Sequence, residues 1–224
     1  MKVCTDACLF GALVANNIFS TTTANDTLQC LDIGTGTGLL SLMAAQQNKH
    51  INFDAIEIDE PAAEQAGENI AASHWADRIQ VFNEDILNFL PGKQYDCIFS
   101  NPPFFEDDLK SDVKEKNYAK HDTSLDLLQL LQVADSYLTA DGFFAILLPY
   151  HRVNYFIEES KKMGLHLTRQ ILVKQTMKHK FFRGILFFNR KKTELELNEI
   201  IIKDTDHNYT PEFSAALKDY YLFL

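Results

Sequence analysis

The residues with the most distinctive chemistry follow an apolar run at 95–100 and are Asn101, Pro102, Pro103 and Phe104. Two consecutive prolines fix φ at about −65° and carry no N–H groups, so the chain leaves the predicted strand stiffly and presents backbone carbonyls that lack local donors. Asn101 adds a side-chain carbonyl acceptor, and Phe104 adds an aromatic face on which a flat base can stack. These residues predict a site that holds a planar amine, and the alternative is an ordinary turn after a strand.

A glycine-rich segment nearer the N-terminus predicts a cofactor site. Gly34, Gly36 and Gly38 separate an apolar run from an apolar-periodic segment. Glycines at such a strand-to-helix turn let backbone N–H groups and the helix N-terminus approach a ligand closely. A dinucleotide site uses a similar loop for a pyrophosphate, so a dehydrogenase is an alternative. Asp32, which precedes the glycines, is poorly placed beside a phosphate but suits a cation with an ammonium group, such as S-adenosylmethionine.

Two further carboxylates follow predicted strands and extend this cofactor site. Glu57 ends the second strand, 25 residues after Asp32, where ribose hydroxyls need a bidentate acceptor. Asp59 is the alternative for that function. Asp85 follows the third strand and is placed to accept from an adenine amino group, with Ile86 against the ring. The alternative for Asp85 is a helix cap.

Apolar runs and amphipathic segments that alternate along the chain position these residues. The predicted strands are 28–33, 51–57, 79–82, 95–100 and 143–148, and the predicted helices are 6–16, 39–47, 60–73, 123 or 124 to 138, and 153–163. Strands that alternate with helices predict an α/β fold, with a mostly parallel sheet and helices on both faces.

The last third of the chain has a different pattern. Two β-rich runs at 165–174 and 181–190 predict a C-terminal β-hairpin, which gives a seven-stranded sheet. Residues 200–202 are a candidate for a further short strand, and 212–221 for a last helix. Between strand and helix, a charged loop is predicted over 105–122. The length suits one domain over 1–224.

Composition excludes several classes of protein. The hydrophobic share of 46% and the charged share of 23% are typical of a globular protein, and no apolar run reaches the roughly 18 residues of a membrane span. The four cysteines form no C-x-x-C pair and the seven histidines show no metal-ligand spacing, so we expect reduced thiols and no metal. We therefore expect a cytoplasmic protein without a membrane anchor, and a monomer.

Positive charge is concentrated in one segment of an acidic chain. The formal net charge is −10, yet 174–192 contains seven Lys or Arg and no Asp or Glu. Phosphate groups bind to such a surface, so Lys174, Lys178, Lys180 and Arg183 are candidate nucleic-acid contacts. The alternative is a solvated surface without such a partner.

The order of these motifs resembles that of a known enzyme class. The segments 31–38, Glu57, Asp85 and 101–104 are similar to the motifs of class I S-adenosylmethionine-dependent methyltransferases, in the branch with an (Asn/Asp)-Pro-Pro-(Tyr/Phe) motif for amine methylation. More narrowly, 1–6, 100–104, 208–213 and 219–222 resemble the bacterial tRNA1(Val) adenine-37 N6-methyltransferase family. Two features differ: Cys4 stands where the family usually has Gly, and family members carry an aromatic and basic segment ahead of the position of Met1.

The resemblance implies a Rossmann-like fold and methyl transfer to adenine 37 in the anticodon loop of tRNA. It implies that Thr5 and Asp6 lie near the methionine end of the cofactor, although helix capping also explains these residues. A glutamine side-chain amide and the N2 amine of guanine have the same planar NH2 geometry. Protein glutamine N5-methyltransferases and rRNA guanine-N2 methyltransferases are therefore alternatives, and a non-enzymatic cofactor-binding scaffold is a third, which has no need of Asn101 to Phe104.

Overall fold

The computed structural model describes residues 4–21, 27–103 and 126–223 of the chain. Three predicted features lie outside these residues: Phe104, the charged loop 105–122, and the helix start at 123 or 124.

Eight strands and six α-helices make up the described part of the chain. The strands are β1 (Leu28–Ile33), β2 (Ile51–Glu57), β3 (Ile79–Asn83), β4 (Tyr95–Ser100), β5 (Leu138–Pro149), β6 (His166–Thr176), β7 (Phe181–Asn189) and β8 (Glu196–Lys203). The helices are α1 (Thr5–Thr21), α2 (Leu39–Gln47), α3 (Glu60–Ala71), α4 (Leu127–Tyr137), α5 (Val153–Lys162) and α6 (Pro211–Leu217), and a 3₁₀ turn covers Tyr150–Arg152.

The strands form one sheet with the order β3-β2-β1-β4-β5-β7-β6-β8. The strands β1 to β5 are parallel to their neighbours among themselves, whereas β7 is antiparallel to both β5 and β6. This confirms the α/β, mostly parallel sheet and the C-terminal hairpin. The sheet has eight strands rather than seven, because the run around 200–202 belongs to β8, which pairs in parallel with β6.

Two apolar clusters cover the two faces of the sheet. One cluster joins buried side chains of α1, α2 and α6 to the strands, and the other joins those of α4 and α5 to the opposite face. A parallel strand buried on both faces is apolar along most of its length, as the β4 sequence Tyr-Asp-Cys-Ile-Phe-Ser is. Helices therefore lie on both faces, as predicted.

Several element boundaries differ from the predictions. Helix α1 extends to Thr21 instead of ending at 16, and α6 ends at Leu217 instead of 221. Helix α4 begins after Asp126, whose side chain accepts from the N–H of Leu128. Strand β5 begins at Leu138, a position predicted to be helical, because Leu138 pairs with Tyr95 of β4.

Candidate active site

The glycine segment and Asn101 meet at one edge of the sheet. In the parallel ladder Ile33 of β1 pairs with Ser100 of β4, and the buried Ser100 hydroxyl donates to the Ile33 carbonyl at 2.8 Å. The strand order reverses between these two strands, since β2 and β3 lie on one side and β5 on the other. Ligands of open α/β sheets bind in the crevice at such a reversal, beyond the carboxyl ends of the strands.

The turn from β1 to α2 uses the conformational freedom of glycine. Gly34, Gly36 and Gly38 have φ values of 70°, 60° and 80°, in the left-handed region that other residues rarely adopt. The Gly36 N–H donates to Glu57 Oε2 at 2.8 Å. The turn is thereby fixed to the end of β2, and its backbone lies at the edge where a ligand would approach.

Asp32 is a fully buried carboxylate with an unsatisfied oxygen. Its Oδ2 accepts from the hydroxyls of Thr35 at 2.7 Å and Ser41 at 2.8 Å. Its Oδ1 is buried and has no hydrogen-bond partner among the described residues. Burial raises the pKa of Asp32 to about 6, although the two hydroxyls act in the opposite direction. A donor with a positive charge would satisfy Oδ1 and stabilise the ionised form, so this site fits the ammonium group predicted from the sequence.

Glu57 and Asp59, the two candidates for the ribose, have different surroundings. Glu57 is largely buried; its Oε2 accepts from Gly36 and its Oε1 accepts from the N–H of Asp59 at 3.1 Å. Each carboxylate oxygen keeps a further lone pair for a hydroxyl group. Asp59 is exposed and caps α3 by accepting from the N–H of Ala62 at 3.2 Å. The geometry favours Glu57 for the ligand and Asp59 for the helix.

Asp85 follows β3 and does not cap a helix, which was the alternative for this residue. Its Oδ1 accepts from the N–H of Leu87 at 2.9 Å, within a turn rather than a helix. The preceding Glu84 N–H donates to the Glu57 carbonyl at 3.1 Å, so Asp85 lies near the end of β2. Ile86 is 5% exposed and packs in the core, which leaves little of its side chain for an adenine ring. Contact of these two residues with adenine stays a prediction.

Asn101 leaves β4 at the centre of the carboxyl edge. It is half-buried, and its side chain makes no hydrogen bond to the described residues. Pro102 is buried and Pro103 is exposed. The stacking function predicted for Phe104 falls on a residue outside the described part. The side-chain oxygen of Asn101 is thus an acceptor beside the glycine turn.

The start of α1 reaches the same edge through an ion pair that the sequence did not indicate. Asp6 Oδ2 lies 2.7 Å from Arg183 Nε, and Arg183 pairs across the ladder with Pro149 at the carboxyl end of β5. Asp6 Oδ1 also accepts from the N–H of Ala7 at 3.1 Å, but this is the next residue within α1, so the contact is not the predicted helix cap. Contact of Thr5 and Asp6 with the methionine end of the cofactor stays a prediction. The pair joins residues 177 positions apart, and no local pattern predicts it.

The four predicted nucleic-acid contacts differ in their surroundings. Lys178 and Lys180 are exposed at the tip of the β6–β7 hairpin. Lys174 lies 3.3 Å from Glu199 Oε2, and its Nζ is 4.1 Å from the centre of the Phe181 ring. Arg183 pairs with Asp6 and thereby links β7 to α1, and its contact with a phosphate stays a prediction. Lys178 and Lys180 remain as the exposed candidates.

Neither a metal site nor a membrane-spanning helix is present in the described part of the chain. Within residues 4–21, 27–103 and 126–223, no group of three or more His, Cys, Asp or Glu is placed to hold a metal ion. In the same ranges, no helix combines the length and apolarity that crossing a bilayer requires.

Comparison with known proteins identifies the family. Residues 11–183 match the family described as the methyltransferase small domain. A curated tRNA1(Val) (adenine(37)-N6)-methyltransferase of Dyadobacter fermentans is 39% identical over 99% of this chain and 91% of its own length. The Klebsiella pneumoniae (strain 342) protein of the same name is 37% identical over 100% of this chain and 89% of its own length.

Solved structures agree with the fold. A predicted O-methyltransferase from Agrobacterium tumefaciens has a TM-score of 0.71 over 95% of both chains at 15% identity. A putative class I S-adenosylmethionine-dependent methyltransferase from Listeria monocytogenes has a TM-score of 0.64 over 94% of this chain and 68% of its own, at 14% identity. At such identities the likeness to solved structures concerns the fold alone. The family is shown by the relatives that are similar in sequence. This chain belongs to the tRNA1(Val) (adenine(37)-N6)-methyltransferase family.

Proposed function

We propose that this protein transfers a methyl group from S-adenosylmethionine to N6 of adenine 37 in the anticodon loop of tRNA1(Val). Family membership supports the substrate, since the relatives at 35–39% identity carry that name. One observation carries the chemistry: at the strand-order reversal Asn101 follows Ser100, which pairs with Ile33, and Ile33 follows Asp32, whose buried Oδ1 has no partner among the described residues. The candidate cation site and the candidate amine site therefore lie on neighbouring strands at one edge of the sheet. The proposed enzyme acts as a cytoplasmic monomer.

Three groups of this chain would hold the cofactor. Asp32 offers a buried acceptor to the ammonium group, Glu57 offers carboxylate lone pairs to the ribose hydroxyls, and the backbone of the glycine turn lies close to both. When bound, S-adenosylmethionine supplies an electrophilic methyl group on a positively charged sulfur. The order of β2, β1 and β4 in the sheet puts Glu57, Asp32 and Asn101 in a row along the edge.

The adenine amine is a poor nucleophile because its lone pair is delocalised into the ring. In our proposal the Asn101 side-chain oxygen and the Pro102 carbonyl accept hydrogen bonds from the two N–H groups of this amine. These contacts favour a pyramidal nitrogen and aim its lone pair at the methyl group. The nitrogen forms the new bond to carbon as the carbon–sulfur bond breaks. The nitrogen then carries a positive charge and loses one proton, either through Asn101 or directly to solvent. These reaction steps require no catalytic histidine.

Access of the base depends on extruding it from its neighbours. A base in a single-stranded loop is extruded at lower cost than one in a duplex, which suits adenine 37 of an anticodon loop. Phe104 is the proposed stacking residue for the extruded base. Lys178 and Lys180 are the proposed phosphate contacts.

The test is methyl transfer from labelled cofactor to tRNA1(Val), bulk rRNA and bulk protein, followed by nucleoside and amino-acid analysis. We expect N6-methyladenosine in tRNA1(Val) and no label in a transcript that has guanine at position 37. Asn101→Ala should lower kcat by about 100-fold or more while the cofactor Kd stays within about twofold. Label in glutamine or in N2-methylguanosine, with none in the tRNA, would replace this function with one of the two alternatives.

A further inference from the structure

We propose that Tyr150, supported by Phe181 and Lys174, is a stacking surface for the unpaired base of the nucleotide next to the methylated adenine. This inference rests on the proposed function and extends it to a second nucleotide of the RNA. It assigns a base contact to residues that have no part in holding the cofactor or the amine.

The position of Tyr150 relative to Asn101 is the first argument. Ser100 of β4 pairs with Ile146 of β5, so Asn101 lies level with residue 147 and Tyr150 lies three residues further on. At about 3.3 Å per residue and about 4.8 Å between strands, Tyr150 lies one strand away from Asn101 and about 10 Å further along the strand direction, beyond the carboxyl edge. A neighbouring nucleotide of a single-stranded loop spans such a distance.

The sheet order places Tyr150 and the cofactor candidates on opposite sides of Asn101. The cofactor candidates Asp32 and Glu57 lie on β1 and β2, on one side of Asn101. Tyr150 follows β5 on the other side. A ligand that reaches Asn101 from the side opposite the cofactor therefore passes Tyr150.

The third argument is the construction of the surface itself. Tyr150 is 44% exposed, and its ring centre lies 5.4 Å from that of Phe181 at an interplanar angle of 40°. The β6–β7 register shifts between Val173 and Lys174, so that Phe181 pairs with Lys174. The Lys174 ammonium lies 4.1 Å from the Phe181 ring centre, a cation–π contact that helps to hold the ring in place. Tyr150 is thus the outer ring of a supported aromatic pair.

Charge complementarity selects nucleic acid as the occupant. Lys178 and Lys180 are exposed on the tip that directly precedes Phe181. Aromatic rings bordered by cations are typical of surfaces that bind single-stranded nucleic acid, where bases stack and the backbone meets positive charge. A peptide partner would gain less from this arrangement, because it lacks both a stacking base and a phosphate at regular spacing.

The experiment compares leucine and phenylalanine at the same position. Tyr150→Leu keeps an apolar side chain but removes the ring, and should raise the tRNA Kd between about fivefold and 100-fold, whereas Tyr150→Phe should stay within about twofold of wild type. Phe181→Leu should give an intermediate loss. Cofactor Kd and the thermal unfolding midpoint should stay unchanged in the tyrosine variants, which separates lost stacking from misfolding.

The matched control is Phe19→Leu. Phe19 is 68% exposed near the end of α1, about 20 Å along the helix from Asp6, which pairs with Arg183 next to the end of β5. The Phe19→Leu variant should bind tRNA with the same Kd as the wild type.

A position-specific readout uses anticodon stem-loops with the fluorescent base 2-aminopurine at position 36 or 38. Wild type and Tyr150→Phe should quench one of the two, and Tyr150→Leu should not. Equal tRNA affinity of wild type and Tyr150→Leu, or quenching at neither position, overturns the stacking surface while methylation of adenine 37 leaves the proposed function standing. A wild-type protein that neither binds nor methylates tRNA overturns both.

Discussion

Asp32 concentrates the electrostatics of the site in one side chain. Its burial raises its pKa to about 6, and its Oδ1 lacks a partner among the described residues. A buried carboxylate of this kind is stabilised in its ionised form when a cation binds beside it. In the proposed site, proton binding to Asp32 therefore opposes cofactor binding.

We expect the cofactor Kd to be nearly constant above pH 6 and to rise about tenfold per pH unit below it, because the protonated Asp32 no longer attracts the ammonium group. Titration calorimetry between pH 4.5 and 8 measures this. Asp32→Asn should bind weakly at every pH in that range, and a variant that retains the wild-type pH dependence would contradict the assignment.

The same pKa gives the stability of the ligand-free protein a definite sign. The folded pKa of about 6 lies above the ordinary value of 3.8, so between these values the folded state holds a proton that the unfolded state has released. The stabilisation is complete below about pH 4 and is lost as the pH rises to 6, by about 3 kcal/mol in total. Relative to Asp32→Asn, the melting temperature of the wild type should fall across this interval, and a rise would refute the shift.

Glu57 and Asp59 can be separated by paired substitutions. Glu57→Ala removes the acceptor of the Gly36 N–H and the ribose candidate, so the cofactor Kd should rise by about 10- to 100-fold. Asp59→Ala removes the cap of α3 and should cost about 1 kcal/mol of stability with nearly unchanged cofactor affinity. Calorimetry and thermal melts distinguish the two, and the reverse result would assign the ribose to Asp59.

Among the secondary-structure elements, the β6–β7 hairpin presents the charge that was predicted from the sequence, and two of its cations form ion pairs. Lys174 and Arg183 are paired with Glu199 and Asp6. Basic composition is visible in a sequence, whereas the acidic partners come from β8 and α1, far away along the chain. Sequence alone therefore shows the positive charge of this hairpin but not which of its cations form ion pairs.

Lys178→Gln with Lys180→Gln should weaken tRNA binding and reduce the slope of log Kd against log salt by about 1.4, at about 0.7 per lost phosphate contact. Binding assays between 50 and 300 mM salt give the slope. Lys49→Gln with Lys218→Gln removes the same charge from other exposed positions and should leave the slope unchanged. An unaltered slope in the hairpin variant would exclude its tip from the interface.

The elements that the sequence predicted well are those with a local signal. The run at 28–33, the glycines after it and the helix at 39–47 match β1, the turn and α2 to the residue, because apolar periodicity and glycine chemistry are local. The start of β5 was missed because Leu138 is extended through pairing with Tyr95, a contact that spans 43 residues. The family and its fold were predicted, whereas the Asp6–Arg183 pair and the Tyr150–Phe181 contact depend on tertiary packing.

On the scale of the whole molecule, one apolar cluster links the first helix to the last strands. It contains side chains from α1, β1, β2, β6, β7, β8 and α6. A core shared in this way by both ends of the chain supports the proposal of a single domain over 1–224, which should unfold cooperatively.

Unfolding followed by the fluorescence of Trp75, the one tryptophan, and by far-UV circular dichroism should give coincident midpoints. Ile185→Val, in the buried part of β7, should lower both midpoints together, by about 2–4 °C for each kcal/mol lost. Leu90→Ala, at an 87% exposed position, should lower neither. Two separated transitions would show two domains.

The order of the strands also bears on how such an enzyme acquires a new substrate. The candidate cofactor residues lie on β1, β2 and the turn after β3, whereas Tyr150 and the basic tip lie beyond β5. Consider a chimaera in which residues 138–223 are replaced by the corresponding segment of a relative. It would keep the candidate cofactor residues, and we expect it to accept a different RNA. The exchange must preserve a cation at position 183, since Asp6 of the retained half would otherwise lose its partner. A new RNA specificity introduced by this exchange therefore depends on one positive charge, at position 183, where the exchanged segment contacts the retained one.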